Sequence, residues 1–60
     1  MTTYEIRIVR KDGQTLLIEC RLIGDHAAIR RAQTLATADD LVEVWRGAVC
    51  IYETAGATVR

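Results

Sequence analysis

The sequence predicts an α+β fold: a four-stranded, mainly antiparallel sheet with the element order ββαββ and one helix packed on one face. Residues 4–10 and 15–23 alternate apolar with charged or polar side chains, as half-buried strands do. Residues 26–37 have helical spacing, and residues 41–52 form an apolar segment interrupted by Gly47, which is typical of a hairpin. These observations indicate two hairpins joined by a helix.

The first hairpin carries its apolar side chains at even positions on both strands. The expected core-facing set is Tyr4, Ile6, Ile8, Leu16, Ile18, Cys20 and Leu22. Because paired residues share a face, the loop around Asp12 and Gly13 must contain an odd number of residues. Two registers satisfy this condition. In one, Ile8 lies opposite Ile18, which pairs Arg7 with Glu19 and Glu5 with Arg21. In the other, Ile8 lies opposite Leu16, which sets Glu5 against Glu19 but puts Gly13 at the left-handed position of a bulge.

The helix is predicted from about His26 to Thr37, with Asp25 as its N-cap. Its apolar stripe consists of Ala28, Ile29, Ala32, Leu35 and Ala36. The small alanines on this stripe allow the helix to lie close to a sheet. Residues 38–40 then lead into the third strand, and both strand orders, 2-1-3-4 and 1-2-3-4, are compatible with the short connections.

The second hairpin, residues 41–52, has apolar side chains on both faces. A two-residue loop at Arg46-Gly47 pairs Val44 with Val49 and Leu41 with Tyr52. The predicted inner set is Val42, Val44, Val49 and Ile51. The predicted outer set is Leu41, Glu43, Trp45, Ala48, Cys50 and Tyr52. An outer face this apolar indicates that another surface covers it.

A chain of 60 residues is a single domain, with residues 4–53 as its expected ordered core and residues 54–60 as a flexible tail. A domain of this size buries only ~60% of the surface that its unfolded chain exposes, so it is marginally stable alone. Two cysteines and one histidine fall short of a tetrahedral zinc set unless carboxylates or a second chain contribute. We therefore expect a homodimer, and we expect no metal or cofactor.

The chain carries eight basic and eight acidic residues and has no net charge, which disfavours binding to nucleic acid through its phosphates. The start of the chain lacks a basic region followed by an apolar run, and no segment reaches the ~20 apolar residues of a membrane span. The two cysteines have no disulfide-framework spacing. These features predict a cytoplasmic protein that is not attached to a membrane.

Two short motifs resemble those of small, uncharacterised ββαββ proteins of alphaproteobacteria. The predicted helix starts with Asp25-His26-Ala27-Ala28, which matches a D-x-A-A pattern continued by Ala32 and Leu35, and residues 42–47 read V-E-V-W-R-G. The resemblance covers most of the chain and implies the same fold. It implies no activity, cofactor or site residue.

No arrangement of side chains in the sequence predicts catalysis. Cys20, Cys50 and His26 are the only soft metal ligands, and strand alternation places the two thiols on opposite faces of the sheet. The glutamates expected on the outer face, opposite arginines, are Glu5, Glu19 and Glu43. The sequence contains no glycine-rich phosphate loop, serine elbow or zinc helix motif. We therefore expect a protein that is not an enzyme.

The function that the sequence favours is a non-catalytic interaction module that forms a homodimer through its outer sheet face. The expected interface residues are Val9, Leu17, Leu41, Trp45, Cys50 and Tyr52. One alternative is a small nucleic-acid-binding or regulatory protein that uses Arg30 and Arg31 on the helix. Another is a small-molecule binder that stacks a ring on Trp45.

Overall fold

The computed structural model describes residues 1–54 as a four-stranded antiparallel sheet with one helix against it. The elements in chain order are β1 (Thr2–Val9), β2 (Thr15–Leu22), α1 (Asp25–Leu35), β3 (Leu41–Arg46) and β4 (Val49–Glu53). The strand order is β2-β1-β3-β4, so every neighbouring pair is antiparallel. The predicted α+β fold and ββαββ order are confirmed, and of the two possible strand orders the structure has 2-1-3-4.

The first hairpin has the odd loop length that the even-numbered core residues require. Ile8 lies opposite Leu16, which is the second of the two predicted registers. The Arg10 amide donates to the Gln14 carbonyl at 2.7 Å, which leaves three residues, 11–13, in the loop. Gly13 has φ +92°, a left-handed conformation that glycine adopts without steric cost.

The core lies between the inner sides of β1 and β3 and one stripe of the helix. Its buried residues are Tyr4, Ile6, Ile8, Ala28, Ala32, Val42 and Val44. Ala28 and Ala32 are fully buried, so the helix axis lies close to the sheet as the small side chains predict. The inward side chains of β2, by contrast, are only partly buried.

The helix begins at Asp25 and ends at Leu35, two residues before the predicted end. The prediction that Asp25 is the N-cap is wrong: Gly24 occupies that position with extended backbone, and no side chain caps the helix. The Asp25 carboxylate instead accepts hydrogen bonds from Tyr4 and Arg46, two residues on neighbouring strands. These tertiary partners replace the local backbone bond that a cap would make.

The register of the second hairpin differs from the prediction. Arg46 pairs with Val49 across a two-residue loop at Gly47-Ala48, and Gly47 has φ +63°. Glycine at the first loop position suits the primed turns of hairpins. Trp45 then pairs with Cys50 but Val44 pairs with Tyr52, so Ile51 is an extra, unpaired residue in a β-bulge.

Thr54 extends the pairing of β3 and β4 by one residue. The Val42 amide donates to Thr54 Oγ1 at 2.9 Å, and the Thr54 amide donates to the Val42 carbonyl at 3.0 Å. Thr54, the first residue of the predicted tail, is thus hydrogen-bonded to β3. The rest of the predicted tail, residues 55–60, lies outside the described residues.

Candidate interaction surface

One face of the sheet carries no helix, and we call it the outer face. Strand alternation and the observed registers assign its members on the four strands. They are Thr3, Glu5, Arg7, Val9, Thr15, Leu17, Glu19, Arg21, Leu41, Glu43, Trp45, Cys50 and Glu53. Five of the six predicted interface residues lie on this face, and the sixth does not.

Apolar side chains gather at one end of the outer face. Val9 lies opposite Leu41, and Leu17 lies diagonally across from Val9 on β2. Leu17 is 60% exposed and Leu41 is 43% exposed, while Val9 is partly buried. An apolar cluster that the chain leaves open to solvent is a candidate contact surface.

Trp45 lies on the same face, on the other side of the Arg7-Glu43 ion pair from the aliphatic cluster. Its indole Nε1 donates to Glu43 Oε1 at 3.0 Å, and Arg7 donates to the same oxygen at 3.4 Å. Trp45 pairs with Glu5 on one side and with Cys50 on the other, and its ring is partly buried. The Arg7-Glu43 pair thus separates the aromatic end of the outer face from its aliphatic end.

The glutamates of the outer face lie where predicted, but not all of them lie opposite arginines. Glu43 lies opposite Arg7 as expected, but Glu5 lies opposite Glu19 instead of an arginine. Two carboxylates directly opposite each other repel, which disfavours this register locally. The left-handed conformation of Gly13 outweighs that cost, because a shift by two residues would keep the alternation but move Gly13 out of its left-handed position.

The assignment of Tyr52 to the outer face is wrong. The bulge at Ile51 turns Tyr52 to the helix side, where it pairs with Val44 and packs against the core. Its hydroxyl accepts a hydrogen bond from Gln33 of the helix at 3.3 Å. The Tyr52 ring therefore belongs to the periphery of the core, and Tyr52 is not part of the candidate interface.

A polar cluster on the helix side joins three elements that lie far apart in sequence. The hydroxyl of Tyr4, which is 2% exposed, donates to Asp25 Oδ1 at 2.6 Å, and Arg46 donates to Asp25 Oδ2 at 2.5 Å. The pKa of the Asp25 carboxyl is lowered most by the hydrogen bond from Tyr4 and next by the hydrogen bond from Arg46. The same carboxylate raises the pKa of Tyr4 and of Arg46. This cluster was not predicted, because it depends on tertiary pairing.

The remaining candidate residues do not converge. Cys20 lies opposite buried Tyr4 and Cys50 lies opposite Trp45, so the two free thiols occupy opposite faces as predicted. His26 is exposed at the start of the helix. Within residues 1–54, no group of three or more His, Cys, Asp or Glu side chains is placed to hold a metal ion.

The helix and the hollows of the surface offer no enclosed site. Arg30 and Arg31 are exposed and belong to the helix surface away from the core. A hollow of about 430 Å³ lies between β1 and β2, and Trp45 is not among its lining residues. No helix within the described part of the chain is long and apolar enough to cross a membrane.

Comparison of the chain with protein-family models, with curated proteins and with solved structures finds no match. The resemblance to alphaproteobacterial ββαββ proteins stays a prediction from the two sequence motifs.

Proposed function

We propose that the protein is a non-catalytic interaction module of a bacterial cytoplasm that forms a homodimer through the outer face. One observation carries the proposal: the helix covers one face of the sheet, and the other face presents Leu17, Leu41, Val9 and Trp45 together. The two free thiols suit a reducing compartment.

The central strands of the outer face, β1 and β3, are complementary to those of a second copy. A two-fold axis parallel to the strands, between β1 and β3, places β1 of one copy over β3 of the other. Val9 then lies over the partner's Leu41, and Arg7 lies over the partner's Glu43. Along these two strands apolar meets apolar and opposite charges meet, whereas the same operation puts Leu17 over the partner's Glu53 and Trp45 over the partner's Glu5.

The energy available from this contact is large relative to the stability of so small a domain. Burial of apolar surface contributes about 25 cal/mol per Å², so a few hundred Å² contributes several kcal/mol before association costs. A domain of 60 residues has a free energy of unfolding of about 3 to 9 kcal/mol. We therefore expect association to raise the apparent stability measurably.

The test compares two matched substitutions in sedimentation equilibrium. Leu41→Glu places a charge on the outer face, and Val49→Glu places one at a similarly exposed position that pairs with Arg46 on the helix side. We expect Leu41→Glu to halve the sedimenting mass and Val49→Glu to leave it unchanged. Trp45→Glu should act as Leu41→Glu does and should also melt at a lower temperature.

Two results would overturn the proposal. The first is a wild-type protein that sediments as a monomer at about 100 µM. The second is a Leu41→Glu variant that keeps the wild-type mass.

A further inference from the structure

The free edge of β2 is unusual for a strand at the border of a sheet. β2 is eight residues long and pairs with β1 at every position without a bulge. The strand at the opposite border, β4, has five residues and is interrupted by the bulge at Ile51. Natural sheets protect their borders by short strands, bulges or charged side chains. β2 lacks the first two devices, and its charged residues, Glu19 and Arg21, are of opposite sign.

Backbone groups along this edge are available for pairing. The hydrogen bond between Arg10 and Gln14 sets the phase of the β1-β2 ladder, so the even residues of β2 bond to β1. The odd residues, among them Leu17, Glu19 and Arg21, direct their amides and carbonyls away from the sheet. Among the described residues no strand lies beside them.

The side chains beside the edge are also incompletely covered. The inward residues of β2, which include Ile18, Cys20 and Leu22, are partly exposed, whereas the inward residues of β1 are buried. The helix therefore completes the core over β1 and β3 but leaves the inner side of β2 open. A strand paired at this edge would set its own inward side chains beside those of β2 and so reduce their exposure.

We propose that β2 pairs antiparallel with β2 of a second copy, with Cys20 opposite the partner's Cys20. Glu19 then lies opposite the partner's Arg21, and the symmetry repeats this pair, so two cross-strand ion pairs form. On the inner side, Ile18 lies opposite the partner's Leu22. The result is one continuous eight-stranded antiparallel sheet.

Charge selects this register among those that match the faces. A two-fold axis at Glu19 sets Glu19 opposite itself, and an axis at Arg21 sets Arg21 opposite itself. An axis at Ile18 sets Leu17 opposite the partner's Glu19. The axis at Cys20 is the one among these that places each charge against its opposite, and it gives Glu19 a cation to balance its repulsive neighbour Glu5.

The edge contact is independent of the outer-face homodimer. It uses backbone groups in the plane of the sheet, whereas the outer face stays open on one side of that plane. When both contacts form, the edge joins outer-face dimers into a larger assembly. When the outer-face contact is absent, the edge alone still yields a dimer.

Disulfide trapping tests the register. Cys20 and the partner's Cys20 form a non-hydrogen-bonded pair with Cα atoms ~4.5 Å apart, within the range of a disulfide. Diamide would accept two electrons and two protons from the two thiols and leave a disulfide between the chains. Cys50→Ser, which keeps Cys20, should give a covalent dimer on a non-reducing gel, and the matched Cys20→Ser should not.

A charge swap tests the ion pairs. Arg21→Glu and Glu19→Arg each set like charges opposite each other twice. We expect each variant to raise the dissociation constant of the edge contact about tenfold or more. The double variant Glu19→Arg with Arg21→Glu restores opposite charges and should recover trapping by diamide. Circular dichroism of each variant checks that the fold is intact.

The outcomes separate the two contacts. The edge contact is supported if the single charge variants lose the disulfide and the double variant recovers it. Because this result is expected with or without Leu41→Glu in the background, it does not depend on the outer-face contact. Absence of a Cys20 disulfide in the Cys50→Ser protein at 100 µM would overturn it. So would equal trapping in the single and double charge variants.

Discussion

Removal of the Ile6 side chain beyond Cβ tests the assignment of the core. Ile6 is 0% exposed and lies between Ile18 on β2 and Val44 on β3, which share its face. Replacement of a buried isoleucine by alanine costs about 2 to 5 kcal/mol, and the cost grows with the cavity that remains. The paired strands on both sides restrict collapse, so we expect the upper half of that range for Ile6→Ala.

The matched control is Leu17→Ala, because Leu17 is an aliphatic residue of the neighbouring strand but 60% exposed. We expect it to cost less than about 0.5 kcal/mol in dilute protein, as exposed substitutions do. At concentrations where the outer face is occupied, its cost should rise, whereas that of Ile6→Ala should not. Urea unfolding followed by circular dichroism at two protein concentrations measures both effects.

A loss below about 1 kcal/mol for Ile6→Ala would refute the reasoning, because no well-packed core position tolerates such a deletion so cheaply. Equal losses for the two variants in dilute protein would refute it as well. Either result would mean that the inner face of the sheet does not hold the core.

Two further predictions concern the polar cluster and the turns. Tyr4 and Arg46 lower the pKa of Asp25, so the stability that its charged form contributes is complete above about pH 4 and is lost as the pH falls through the folded-state pKa. In Asp25→Asn the free energy of unfolding should therefore decrease less as the pH falls below about 4. A decrease equal to that of the wild type would contradict the role assigned to Asp25. Gly13→Ala, at φ +92°, should destabilise by about 1 kcal/mol or more in thermal unfolding. Gly24→Ala, at extended backbone with open space around it, loses only the N-cap preference for glycine over alanine and should cost less than Gly13→Ala, and equal effects would argue against the left-handed turn.

The sequence predicts the first hairpin closely because every second residue there is apolar. Alternation in β1 and β2 decides which side chains face inward, and this parity alone dictates an odd loop length. Charge pairing and glycine conformation favoured different registers, and the structure has the one that Gly13 favours. Local steric cost thus outweighs the repulsion between Glu5 and Glu19 at a solvated surface.

The second hairpin could be predicted only in part, since Val49, Cys50, Ile51 and Tyr52 are all apolar or aromatic. Such a run has no alternation, so it contains no signal for the bulge that changes the face of Tyr52. The role of Asp25 was ambiguous for a similar reason. An aspartate before a helix suits both a cap and an ion pair, and only the tertiary positions of its partners decide between them.

The bulge links the register of β4 to the way the chain can associate. Without the extra residue, Tyr52 would add a second aromatic ring to the outer face, and the helix side would lose the ring that contacts Gln33. With it, the apolar surface of the outer face is divided by the Arg7-Glu43 pair. A divided surface binds less tightly than a continuous one, because polar groups at a contact must be paired or stay hydrated. We therefore expect the open edge of β2, where backbone bonds and paired charges act together, to have a larger part in holding copies together than the apolar pattern of the sequence indicates.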